Sequence, residues 1–214
     1  MKARQKAPLK MSNSMHSSNN PPLILASTST YRRELLERLR IPFEVIAPKV
    51  DETPLTGEST LDLALRLAHA KATAVAKDHP QAWVLGSDQV ADLCGAAIGK
   101  PGNFERALAQ LQLMRGATVT FHSALCLMKG DSQTTLSIPT EVTFRKLPDS
   151  VLESYLLAEE PYDCAGSAKS EGLGISLLES IKSDDPTALI GLPLIALTGL
   201  LREAGFAIPA NHQK

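Results

Sequence analysis

Two stretches of the chain alternate apolar and polar residues one by one, and this pattern restricts the fold more than any other. Over residues 118–127 the apolar residues Val119, Phe121, Leu125 and Leu127 alternate, and "TEVTFRKL" alternates again around Val142 and Phe144. A period of two buries one face of a strand and leaves the other polar, which predicts half-buried antiparallel strands. The first half of the chain reads differently. "PLILAS" is a short, continuous apolar strand, and "TST" leads directly into "YRRELLERLR", where Leu35, Leu36 and Leu39 fall on one helical face. A second helix starts at Ser59, with Asp62 in capping-box spacing, carries Leu61, Leu65, Ala68, Ala72 and Val75 inward, and stops before Pro80.

An apolar strand over residues 83–85 then ends in Gly86, Ser87 and Asp88, followed by a "CG" turn, the loop "AAIGKPGN" and a third helix with Ala107, Leu108 and Leu111 inward. Pro148 and Asp149 open a helix carrying Leu152, Tyr155 and Leu156. The long polar loop "EEPYDCAGSAKSEGLG" precedes a strand through Ile175 and Leu177, and Pro193 starts a last helix that Gly205 caps. Helices and strands interleaved this irregularly predict a mixed-sheet α/β fold and exclude a doubly wound parallel sheet.

The 214 residues allow one large domain or two small lobes. A formal net charge of −1 gives no global field for nucleic acid or a membrane surface, so any phosphate site has to be built locally. Cys94, Cys126 and Cys164 are odd in number and contain no CxxC pair, which supports neither a disulfide framework nor a zinc site and fits a reducing cytosol. Residues 1–20, rich in Lys, Ser and Asn without a sustained apolar run, are expected to be a disordered extension ahead of a domain over residues 21–214. "LIGLPLIALTGLL" is too short for a bilayer and contains Pro193, so it is expected as a buried helix.

Chemistry concentrates at a few places. In "ASTSTYRR" a helix N-terminus offers unpaired N–H groups, Ser27 and Ser29 add hydroxyls, and Arg32 adds a fork suited to phosphate oxygens. The competing reading is a Ser/Thr helix cap followed by solvated arginines. "VDETP" sets Asp51 and Glu52 on a loop, suited to Mg²⁺ or to plain solvation. Asp88 follows a buried strand, where an acid needs a metal, a lysine or a water as partner. Lys71 and Lys100 are point charges able to bind phosphate, and Asp163, Lys169 and Glu171 share the long loop. His69, His79 and His122 show no metal-ligand spacing. Local phosphate devices and two acidic sites, without GxxxxGK[ST] or GxGxxG, suggest a metal-assisted enzyme acting on a nucleotide.

"LILASTSTYRRELLERL", "VDETP", "VLGSDQVADLCG", "GKP", "EEPYDCAGSAKSEGLG" and "GLPLIAL" occur in that order. With them the chain resembles the Maf family of nucleoside triphosphate pyrophosphatases, and within it the group acting on 7-methyl-GTP. The resemblance implies an elongated mixed sheet with flanking helices in two lobes around a cleft, as in the ITP/XTP pyrophosphatases. It also implies hydrolysis of the α–β phosphate bond with a divalent cation, Mg²⁺ or Mn²⁺, in a cytoplasmic enzyme clearing modified nucleotides. Carried over by position, Asp88 matches the proton acceptor, and Glu52 a metal-associated carboxylate that shares the ion with Asp88. Ser27, Arg32, Lys71 and Lys100 match phosphate-contacting positions, while Tyr31, Gln89 and Glu171 match positions associated with base choice. A second group, acting on dTTP and UTP, shows "SPRR", "ADT" and "GIQG" where this chain has residues 30–33, 87–89 and 170–172, and all three places favour the 7-methyl-GTP group. Tyr31 and Thr30 replace that group's usual Trp and Pro, a smaller ring and a looser turn that leave room for a broader set of modified bases. The resemblance further implies a homodimer, and the family's link to septum formation gives a nucleotide-binding regulator as the alternative.

Overall fold

The computed structural model describes residues 20–209, so the expected extension, apart from Asn20, lies outside the described residues. The element order is β1 (Leu23–Ala26), α1 (Thr30–Glu37), β2 (Glu44–Ile46), α2 (Thr60–Ala76), β3 (Trp83–Leu93), β4 (Ala96–Ile98), α3 (Phe104–Met114), β5 (Thr118–Lys129), β6 (Ser132–Phe144), α4 (Asp149–Glu159), β7 (Leu178–Ser183) and α5 (Leu194–Glu203). Seven strands form one mixed sheet in the order β2-β1-β3-β5-β6-β7, with β4 paired to β3. Only β1–β2 and β1–β3 are parallel. Everything from β3 onward is antiparallel, as the period-two stretches require. No helix among the described residues is long and apolar enough to cross a membrane.

Strands β3, β5 and β6 run the length of the sheet, and different helices cover its two ends. At one end Ala124, Cys126 and Met128 of β5 pack under α2 through Ala64, Leu67, Ala68 and Ala72. The opposite face there carries Leu125 and Leu127 against Leu35 and Leu36 of α1 and Leu197 and Leu201 of α5. At the other end Val119, Phe121, Val142 and Phe144 pack on Leu111 and Met114 of α3 and Leu152, Tyr155 and Leu156 of α4. The fold is therefore an elongated mixed α/β sheet with helices at both ends.

Helix boundaries follow their caps. The Ser59 hydroxyl accepts the Asp62 N–H at the start of α2, and Asn103 does the same for Arg106 at α3. Gly205, at φ +89°, ends α5 with two bonds, its own N–H to Arg202 O and the Phe206 N–H to Leu201 O.

Four expectations are corrected. Strand β3 does not stop at Leu85: it continues through Gly86, Ser87 and Asp88 to Leu93, because β5 pairs with it from Val84 to Asp92. "AAI" is the short strand β4 instead of loop. The buried face of α2 is Leu63, Ala64, Leu67, Ala68, Lys71, Ala72 and Val75, whereas Leu61 is exposed and Leu65 only partly buried. Residues Leu173–Leu177 form a 3₁₀ turn, and the strand is Leu178–Ser183. Ile175, expected on that strand, is 53% exposed.

Candidate active site

The element that ends beside Asp88 is β1. Its pairing with β3 stops at Ala26–Gly86, and pairing on the same edge resumes only with β4 at Ala91–Ile98. Residues 87–90 of β3 thus border a gap in the sheet. The turn after β1, the loop carrying Glu52 and the long loop after α4 converge on that gap, and a cleft of about 760 Å³ opens there.

Asp88 lies at the floor of the cleft, 7% exposed. Its Oδ1 accepts from Lys71 Nζ at 2.6 Å, and the same ammonium lies 2.8 Å from Glu52 Oε1. Lys71 projects from the buried face of α2, a position for an apolar residue unless a carboxylate faces it. Glu52 is exposed at the cleft mouth, on a loop pinned to α2 by Arg66, which pairs with Glu58 at 2.6 Å and donates to Thr53 O. That ion pair holds the Glu58 carboxyl well down, at about 2.

The turn after β1 combines both readings of "ASTSTYRR". Ser29 caps α1, accepting the Arg32 N–H, while the buried Ser27 accepts the Ser29 N–H beside the cleft. Arg32 is not a solvated surface arginine: its Nε donates to Gly191 O at 3.0 Å, and the guanidinium lines the cleft. Packing lowers its pKa from the ordinary value while Asp88 and Glu52 pull the other way, and an arginine stays cationic throughout. Anchoring through Nε leaves the two terminal nitrogens for an anion. Lys100 lines the opposite side, exposed on the segment after β4.

Gln89 is spoken for. Its amide nitrogen donates to Ser123 Oγ at 2.8 Å, Ala188 O at 3.0 Å and Leu189 O at 2.9 Å, so only its carbonyl oxygen remains for a base. At the far end of the cleft stand Tyr31, Asp163, Cys164, Lys169 and Glu171. The Tyr31 hydroxyl lies 3.5 Å from Asp163 Oδ1, and Lys169 Nζ is 5.6 Å from the Tyr31 ring centroid. Burial, and then Cys164, pushes the Tyr31 phenol upward. Glu159, 3.3 Å from Lys169, raises that ammonium's pKa and keeps the loop end charged.

The structure thus gathers Ser27, Tyr31, Arg32, Glu52, Lys71, Asp88, Gln89, Lys100 and Glu171 around one cleft. Sequence reasoning missed Ser87, Ser123 and the residues before α5, whose backbone carbonyls line one wall. The advance signs were "DPT" at residues 185–187, an Asx-turn pattern ahead of a helix, and the motif "GLPLIAL" that starts at Gly191. Burial also pushes the Cys164 thiol up to about 11. Two units above an ordinary thiol leave roughly a hundredth of the usual thiolate near neutrality, so iodoacetamide at pH 8 is expected to label Cys164 about a hundredfold more slowly than free cysteine. Mass mapping over time checks this, and labelling at the free-cysteine rate would contradict it.

Residues 22–204 match the Maf family, described as "Maf-like protein". Curated relatives include a "7-methyl-GTP pyrophosphatase" of Cupriavidus metallidurans, 63% identical over 194 residues and covering 90% of this chain and 98% of the relative. Another protein of that name, from Ralstonia nicotianae, is 62% identical over 190 residues, covering 88% of this chain and 98% of its own. A third, from Bordetella avium, is 60% identical over 186 residues, covering 87% and 94%. Among solved structures, the Ham1 protein of Staphylococcus aureus aligns with a TM-score of 0.43 at 16% identity, over 58% of this chain and 72% of that one. With a family match that spans nearly all of the described fold, this chain belongs to the Maf family.

Proposed function

We propose that this chain hydrolyses the α–β phosphoanhydride bond of nucleoside triphosphates, with 7-methyl-GTP as its preferred substrate. The observation that carries the reaction is the buried Asp88 held by Lys71 beside Glu52, with the Arg32 fork opening into the same cleft. Asp88 accepts the proton of an attacking water, while Arg32, Lys71 and Lys100 hold the phosphates in line. Ser27 adds a hydroxyl at the same end.

The donor set fits a hard divalent cation. Glu52 and Asp88 reach one common cation, the Lys71 ammonium, with oxygens at 2.8 and 2.6 Å, and no group of three or more acidic, His or Cys ligands exists among the described residues. Two carboxylates with the remainder left to phosphate and water is the pattern Mg²⁺ takes in nucleotide sites. Such an ion, held by Glu52 and Asp88, neutralises charge on the phosphates when bound.

The substrate reading rests on the relatives' names and on the far end of the cleft. A 7-methylguanine ring carries positive charge, for which the Tyr31 face contributes about 0.5 to 2 kcal/mol. A Glu171 carboxylate accepting from the base edge contributes about 1.5 to 3 kcal/mol. Pyrophosphate release is to be measured from 7-methyl-GTP, GTP, dTTP and UTP with Mg²⁺ or Mn²⁺. A preference for 7-methyl-GTP over GTP of tens to a few thousandfold is expected, at about 1.4 kcal/mol per decade. Tight binding without release from any of them would instead support the nucleotide-binding regulator. In Glu171→Gln the preference should fall while turnover of GTP stays near wild type, and an equal loss on every substrate would move Glu171 into the catalytic machinery.

A further inference from the structure

The segment between β7 and α5 lies against β3 and β5 and turns backbone oxygens toward the cleft wall. Ala188 O accepts from Ser123 Oγ at 2.6 Å and from Gln89 Nε2 at 3.0 Å. Leu189 O accepts from Gln89 Nε2, and Gly191 O accepts from Arg32 Nε at 3.0 Å and Ser87 Oγ at 3.2 Å. Carbonyl oxygens are a poor lining for a triphosphate, because each presents partial negative charge to an anion. Here each is covered by a donor, and covering Gly191 O also aims the Arg32 fork.

One carboxylate outside the cleft lining closes this segment at both ends. Asp185 is 2% exposed. Its Oδ1 accepts from the Thr187 N–H at 3.0 Å and the Thr187 hydroxyl at 2.7 Å, fixing the turn at the start. Its Oδ2 accepts from the Ile195 N–H at 2.6 Å and the Ala196 N–H at 3.3 Å, in the first turn of α5, where the helix dipole favours an anion. Thr187 Oγ1 in turn accepts the Leu194 N–H at 2.8 Å. Gly191, at φ +121°, supplies a bend that a side chain would strain.

We propose that Asp185 is a positioning residue for the phosphate end of the substrate, acting on Arg32 through the carbonyls of the segment it closes. The proposal rests on the pyrophosphatase reading. Without the carboxylate, Gly191 O drifts from Arg32, the fork loses its aim, and uncovered carbonyls face the phosphates. At the base end Tyr31 and Glu171 are untouched, and Gln89 meets the segment only through its amide nitrogen, not through the carbonyl oxygen left for a base.

The test is calorimetry with Mg²⁺ on wild type, Asp185→Ala, Arg32→Ala and the double variant, using inorganic pyrophosphate and phosphate-free 7-methylguanosine, alongside kcat/KM for 7-methyl-GTP. Asp185→Ala should weaken pyrophosphate binding by about tenfold to a hundredfold, the range of a hydrogen bond to a charged group, and leave the nucleoside within about twofold. In the Arg32→Ala background it should add less than about twofold, because both changes remove the same contact. Unchanged pyrophosphate affinity in Asp185→Ala, or losses that multiply in the double variant, would overturn the proposal. Should Asp185→Ala fail to fold, Thr187→Val keeps the Asp185 bonds to Ile195 and Ala196, loses the hydroxyl's bonds to Asp185 and to the Leu194 N–H, and should weaken pyrophosphate in the same direction, and no loss there overturns it as well. A wild-type chain that neither binds pyrophosphate nor releases it would sink the pyrophosphatase reading itself, an outcome distinct from failure in the variants alone.

Discussion

Asp88→Asn is expected to lower the rate of pyrophosphate release by about a hundredfold or more, the range for a general base. Asparagine keeps the shape and an oxygen within reach of Lys71, so the cleft keeps its form, but the amide cannot accept the water's proton. The loss should appear in kcat, since Arg32, Lys71 and Lys100 still hold the phosphates. Lys71 loses a charged partner in a buried setting, where the two side chains are only 8% and 10% exposed. Removing one member of such a pair leaves the Lys71 charge with the exposed Glu52 as its remaining partner, so thermal stability should fall too. Single-turnover kinetics at saturating substrate, with circular dichroism to count folded protein, separates the two effects. A kcat within about threefold of wild type would remove Asp88 from the role of base.

Why Asp88 was hard to place in the sequence, although easy to notice, follows from how strands are recognised. Gly86, Ser87 and Asp88 interrupt an apolar run and read as a strand end, because propensity registers side chains and not neighbours. Pairing with β5 over nine consecutive residues overrides that reading. The break that makes the site belongs to β1, whose four residues are too few to follow β3 further. Period-two alternation located β5 and β6 because each is long and has a stretch covered on one face, as over residues 118–122 of β5, although residues 123–128 of β5 are buried on both faces. The strand reading failed at Ile175 and Leu177, where Gly172 and Gly174 let the chain pass close to Glu159 and to the Lys169 backbone in a 3₁₀ turn. The α2 face was offset because Leu61 and Leu65 are as apolar as Leu63 and Leu67, and the helix also buries a lysine that a hydropathy pattern assigns to solvent.

The charged half of the site was legible as residue types: an acid after a strand, a lysine in an apolar helix, an arginine past a Ser-rich turn. Their convergence was not. Lys71 and Asp88 are 17 residues apart, and Arg32 and Gly191 are 159 apart. The carbonyls of Ala188, Leu189 and Gly191 are main-chain atoms that every residue possesses, so no pattern of side chains announces their use. Gln89, matched to base choice by position, spends its amide nitrogen on two of those carbonyls and on Ser123, an arrangement visible only once the segments meet.

Gly86→Ala is expected to destabilise the fold by about 3 kcal/mol and to disable the site in the molecules that remain folded. A Cβ on Gly86 would lie 2.2 Å from Ala68 O, 2.6 Å from Ala72 N and 2.9 Å from the Ala72 Cβ. The first two are backbone atoms of α2, so no rotamer change relieves them and the helix itself has to move outward. Lys71 rides on the turn between those contacts, and Asp88 is two residues from Gly86 on the same face of β3. Lifting α2 by about 1 Å therefore opens the 2.6 Å contact between Lys71 Nζ and Asp88 Oδ1, and a misplacement of that size costs about a hundredfold in rate. For a chain of this length the stability loss corresponds to a fall in Tm of roughly 6 to 12 °C. Thermal melts and rates at 25 °C, normalised to folded protein, check both parts, and a Tm within about 2 °C of wild type would show that α2 yields more easily than its packing implies. Adding Ala72→Gly removes only the 2.9 Å side-chain contact, so the double variant should recover little of either loss: what Gly86 admits is the helix backbone, and with it the lysine that meets Asp88.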